Sequence, residues 1–88
     1  MTKLLPPERC KTMAELRTQI DAIDAELVHL LSDRSGYIDR AIDLKQIESL
    51  PARIVDRVDE VLDNVRKNAT KHGLNPELTQ MLWRELIE

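Results

Sequence analysis

Residues 13–35 read MAELRTQIDAIDAELVHLLSDRS. Met13, Leu16, Ile20, Ile23, Leu27 and Leu30 step by three and four, the period of one helix face, and Ala25, Val28 and Leu31 widen that stripe. Thr12 stands in front as a capping box. Its hydroxyl can accept the amide proton of Glu15, whose carboxylate can reach back to Thr12. The period runs on through Arg34, Tyr37, Ala41 and Leu44, and Gly36 does not break it. The pattern predicts one helix from 13 to 48, roughly 50 Å long at 1.5 Å per residue.

Outward from this stretch the chain is punctuated twice. Residues 48–52 form a linker with Pro51 as breaker. A second helix is expected over 53–72, with Ile54, Val58, Val61, Leu62, Val65 and Ala69 as its apolar stripe. Lys71 and His72 suit a helix C-terminus, and Gly73 suits a left-handed cap with Leu74 as the apolar residue after it. Asn75-Pro76-Glu77 then opens a third helix as cap, first-turn proline and first-turn acid. Leu78, Met81, Leu82, Leu86 and Ile87 are its expected stripe, and no stop signal appears before Glu88. Residues 1–11, with Pro6-Pro7 as a break, are expected to be a loosely ordered arm ahead of a helical domain over 12–88.

Composition agrees with an all-α chain. Of 88 residues 33% are charged and 2% aromatic, with two glycines and four prolines, which speaks against a β-sandwich, a barrel or an aromatic RNA-binding sheet. Hydrophobic residues at 42% and a net charge of −3 exclude a disordered chain. An acidic pI near 5.4 argues against nucleic-acid binding. No apolar run approaches the ~18 residues of a membrane span, and no secretory signal opens the chain. A single cysteine, Cys10, permits no intrachain disulfide, so a cytoplasmic protein is the expectation. His29 and His72 have no companions at metal-ligand spacing, and there is no phosphate-binding glycine loop. No metal and no cofactor are expected. A helix this long cannot be covered by two shorter ones, so paired long helices in a homodimer are expected.

The informative residues are cations near the apolar seam. Arg34 falls on the 20, 23, 27, 30 progression, and Lys45 follows Leu44. Eleven residues turn through about 1100°, within about 20° of whole turns, so the two share a face about 16 Å apart along the axis. Arg57 opens the second helix near its apolar stripe. Arg17 lies about 25 Å from Arg34 along the first helix and can approach such a site only from an antiparallel partner chain. Cations at an apolar seam require an anion, because desolvation is otherwise not repaid. A bound ligand is one candidate. Interhelical salt bridges with Asp21, Asp24, Glu26 or Asp33 are the competing one.

The sequence resembles a known family, the all-helical (type II) chorismate mutases, with their relatives the isochorismate-pyruvate lyases. The residues that carry the resemblance are LRTQIDAID at 16–24, LLSDR at 30–34, Lys45, Asp56-Arg57-Val58, Gly73-Leu74 and LWRELIE at 82–88. The resemblance spans about 12–88. It implies three helices, the long ones intertwined in a homodimer, and rearrangement of the dicarboxylate enol ether chorismate to prephenate in the shikimate pathway to aromatic amino acids. It implies that Arg17 of the partner chain and Arg34 bind substrate carboxylates, that Lys45 meets the ether oxygen and a carboxylate, and that Arg57 lies over the ring end. The family's mutases often carry Glu directly after the second-helix Arg; here that residue is Val58, and the lyases also lack the acid. The family also places a Gln or Glu on the third helix, at a position beyond Glu88, so the third helix is expected to continue past this chain. The alternatives are an isochorismate-pyruvate lyase of salicylate synthesis, using the same cations, and a non-enzymatic helical dimerisation module.

Overall fold

A computed structural model describes residues 4–51 and 55–87. Ile54, expected to begin the second stripe, and Glu88 lie outside the described residues. The architecture is all-α. A 3₁₀ turn, Pro7–Arg9, precedes α1 (Met13–Ile47), α2 (Val55–Lys71) and α3 (Pro76–Ile87). The chain divides into two compact units, 1–50 and 51–88.

In the first unit α1 is a single uninterrupted helix of 35 residues, about 52 Å long. Thr12 Oγ1 accepts the Glu15 N–H at 3.1 Å, as a capping residue does. The return bond differs from the expected box: Glu15 Oε2 accepts from Lys11 N–H at 3.4 Å, one residue upstream of Thr12. The described part of the arm, from Leu4 on, rests against α1. Leu5 N–H donates to Gln19 Oε1 at 3.0 Å, and Leu4, Leu5 and Pro6 help enclose a cavity of about 170 Å³ against Leu16 and Ile20. Gly36 lies on the polar side of α1 with His29, Asp33, Arg40 and Asp43, where an added Cβ would meet nothing. His29 Nε2 stands 3.6 Å from Asp33 Oδ2, and Arg40 Nη1 3.6 Å from Asp43 Oδ2 on that side.

The second unit is a helical hairpin. Its core consists of Leu62, Val65 and Ala69 of α2 with Thr79 of α3, all buried. Gly73, with φ 74°, makes the reversal. Leu74 N–H donates to the Ala69 carbonyl at 2.8 Å and Gly73 N–H to the Thr70 carbonyl at 3.2 Å, the Schellman pattern that glycine accommodates without a Cβ clash. Asn75 caps α3, its Oδ1 accepting from Glu77 N–H at 2.9 Å and Leu78 N–H at 3.2 Å. Arg66 Nη1 donates to Gln80 Oε1 at 2.7 Å and ties the two helices from the side. Lys67 Nζ lies 2.8 Å from Asp63 Oδ2 within α2, a hydrogen bond that raises the ammonium pKa above its usual value.

The inward face of α3 differs from the expected stripe. Thr79 and Trp83, not Leu78 and Leu82, meet α2; Leu78, Met81 and Leu82 are exposed. The small Ala69 and Thr79 permit close approach of the two helices. Trp83 is half-buried and lines a cavity of about 210 Å³ with Val65, Ala69, Leu74 and Thr79. Among the described residues no helix is long and apolar enough to cross a membrane.

Candidate functional site

Three of the four expected site cations stand on α1. Its unbroken run from Met13 to Ile47 supplies the rigid spacing on which their relation depends. Arg34 and Lys45 share a face, about 16 Å apart along the axis, and both are half-buried. Arg34 has Leu30 and Leu31 one turn before it and Tyr37 and Ile38 one turn after, so its stem runs among apolar neighbours. Arg17 is exposed, about 25 Å from Arg34 and turned about 100° from its face. Within this helix Arg17 does not join the other two.

Asp33 pairs with His29, and neither Arg17 nor Arg34 belongs to an ion pair among the described residues. Within this chain Asp21, Asp24 and Glu26 form no ion pair among the described residues either, which leaves them available to the interhelical alternative. Arg34 is half-buried with no ion-pair partner among the described residues, and its planar fork is suited to a carboxylate. Arg57 is on α2, in the second unit, exposed and paired with Glu60 one turn on. Val58, which follows it, is half-buried and can neither donate nor accept a side-chain hydrogen bond.

Lys45 sits in the last turn of α1, where the negative end of the helix dipole favours a cation. Its own carbonyl accepts the Leu50 N–H at 2.8 Å. That bond belongs to a left-handed cap at Ser49, a feature the sequence reading missed. Gly or Asn is the usual mark of such a cap, and here neither is present.

The family model described as chorismate mutase type II matches residues 16–88. The chain belongs to the type II chorismate mutase family. Three relatives fall in line with that. A chorismate mutase of Methanocaldococcus jannaschii is 25% identical over 76 residues, covering 86% of this chain and 77% of the relative. An isochorismate pyruvate lyase of Pseudomonas aeruginosa is 32% identical over 82 residues, covering 92% and 79%. A bifunctional chorismate mutase/prephenate dehydratase of Aquifex aeolicus is 31% identical over 78 residues, covering 85% of this chain but 22% of that longer protein. No solved structure matches the chain at a significant level. Family membership agrees with the all-α, three-helix architecture and spans both units, from the second turn of α1 to the end of α3.

Proposed function

We propose that this chain is a chorismate mutase, converting chorismate to prephenate at a site built on the Arg34–Lys45 face of α1. The observation that carries the reading is the pair itself: two half-buried cations on one face, at a spacing that suits the two carboxylates and ether oxygen of the substrate, in a chain of this family. The rearrangement is pericyclic. One C–O bond breaks as one C–C bond forms, and negative charge grows on the ether oxygen. An ammonium held at that oxygen, the role assigned to Lys45, stabilises the transition state more than the ground state. Arg34 binds a carboxylate by its planar fork and holds the enolpyruvyl side chain over the ring, which supplies orientation. Arg17, from a second copy, binds the other carboxylate, and Arg57 closes the ring end. No covalent intermediate is required.

The second copy is part of the proposal. α1 has no buried residue, and Ile20, Ile23, Leu27 and Leu30 are 43–57% exposed along one stripe. A continuous apolar face of that length marks an association surface. An antiparallel copy of α1 would cover it and bring the Arg17 end of one helix toward the middle of the other.

A lyase reading has its own support. Val58 supplies no acid after Arg57, and the Pseudomonas aeruginosa relative is an isochorismate pyruvate lyase. Its substrate is also a dicarboxylate enol ether, so the same cations serve. Loss of chorismate absorbance with chromatographic identification of products separates the two. Prephenate from chorismate is expected. Pyruvate from isochorismate with no prephenate from chorismate would replace the mutase reading by the lyase one, and inertness toward both would leave an association module.

A further inference from the structure

Among the described residues one non-glycine has a left-handed backbone: Ser49, φ 57°, just past the end of α1. Its geometry closes a Schellman motif. Leu50 N–H donates to the Lys45 carbonyl at 2.8 Å, and Ser49 N–H donates to the Gln46 carbonyl at 3.3 Å. The motif at the end of α2 has the same pattern, but there the left-handed residue is Gly73. Glycine adopts this conformation freely, whereas a Cβ crowds the following carbonyl oxygen. Ser49 is therefore held in place by the bonds around it.

The register of the motif is informative. The carbonyl that receives its longest-range bond belongs to Lys45, so the cap is anchored on the backbone of the residue assigned to the ether oxygen. Lys45 is also one of the few half-buried residues in the C-terminal third of α1. A last helical turn without such a cap frays, and its side chains lose their fixed direction. An ammonium displaced by ~1 Å from its working position forfeits on the order of 100-fold in rate.

We propose that Ser49 is a positioning residue: its left-handed backbone closes the cap that fixes the turn bearing Lys45, and turnover depends on that cap. The inference rests on the role given to Lys45 above. It requires no contact between the Ser49 side chain and substrate, so the demand falls on backbone conformation and glycine should satisfy it.

The test compares Ser49→Val, Ser49→Gly, Leu50→Pro and Lys45→Ala chains, plus Ser49→Val combined with Lys45→Ala. Each is assayed for kcat and KM with chorismate, for helix content by circular dichroism, and for exchange of the Leu50 amide where that amide exists. Valine is β-branched and resists the left-handed conformation; proline at 50 deletes the donor to the Lys45 carbonyl. The expected result is a kcat at least ~10-fold lower in Ser49→Val and Leu50→Pro, with KM changed less than about threefold. Ser49→Gly is expected to stay within about twofold of wild type and to keep the Leu50 amide protected. In the Lys45→Ala background, Ser49→Val is expected to add less than about twofold, since there is no ammonium left to misplace.

Wild-type kcat in both Ser49→Val and Leu50→Pro overturns the inference, as does a Ser49→Val penalty of equal size with and without Lys45. If Ser49→Val loses its helix content, Leu50→Pro decides on the same criteria. Undiminished turnover in Lys45→Ala overturns the role assigned to Lys45 and this inference with it. A crippled Lys45→Ala beside unaffected Ser49→Val and Leu50→Pro chains overturns this inference alone.

Discussion

Lys45→Ala is expected to lower kcat/KM by about 3 kcal/mol, the usual loss when one fixed electrostatic group opposite a developing oxyanion is removed. Lys45→Arg should recover little of it, because a planar guanidinium presents its protons over a wider front than a compact ammonium. Steady-state kinetics with chorismate check both, and a Lys45→Ala chain as fast as wild type would discard the assignment. Caps are the other place where one side chain has a large effect. Asn75 Oδ1 accepts from two backbone amides at the start of α3. Asn75→Ala should therefore cost about 1 kcal/mol of stability, read as a shift in the urea midpoint. The Asn75 cap and the shared face of Arg34 and Lys45 are legible in the sequence for a simple reason: both depend on local spacing. The cap needs only Asn before Pro-Glu, and the Arg34–Lys45 relation needs only an unbroken helix between them.

Helix boundaries were legible to within two or three residues because each end carries its own chemistry: Thr12 and Asn75 at the starts, Gly73 at a stop. The exception is instructive. α1 ends in the same motif as α2, yet Ser49 leaves no mark that distinguishes it from any linker serine, and Pro51 draws attention to the wrong residue. The inward face of α3 was misread for a different reason. Leucines define the most apolar stripe, but close packing against Ala69 selects the small Thr79, and the leucine side of the helix remains open. Such a choice depends on how two helices meet, which periodicity within one of them does not encode. Gly36 offers a check on the reading of α1. It stands on the polar side, with open space where a Cβ would go. Gly36→Ala should raise stability by up to about 1 kcal/mol through helix propensity alone. A loss of stability in thermal or urea unfolding would mean that another backbone approaches closely at that point.

Both units of the chain are short of interior. Three apolar side chains are buried among the described residues, all in the α2–α3 hairpin, while α1 buries none. A domain of this size with so little burial would not offset the entropy of ordering its backbone. In the proposed dimer, association of two chains along α1 would resolve the shortage and would supply Arg17 to the neighbouring site. Leu27→Glu, in the middle of the exposed stripe, should raise the dissociation constant of the dimer at least ~100-fold by placing a charge on the seam, as sedimentation equilibrium would register. A chain monomeric before the substitution would remove the basis for a shared site. The family and the number of helices were accessible from sequence. The position of Arg57 relative to Lys45 was not, because the two lie on different helices and no helical arithmetic connects them.

The shared site is the central claim, and mixing two inactive chains tests it directly. Arg17→Ala and Lys45→Ala chains are unfolded together, refolded at equal concentration and assayed with chorismate against each chain refolded alone. In a mixed dimer one site receives intact Lys45 from one copy and intact Arg17 from the other, and the second site receives neither. With random pairing, activity should return to about one quarter of wild type. Activity no higher than that of the separate chains, in a sample shown to contain mixed dimers, would contradict a site composed from two copies of α1.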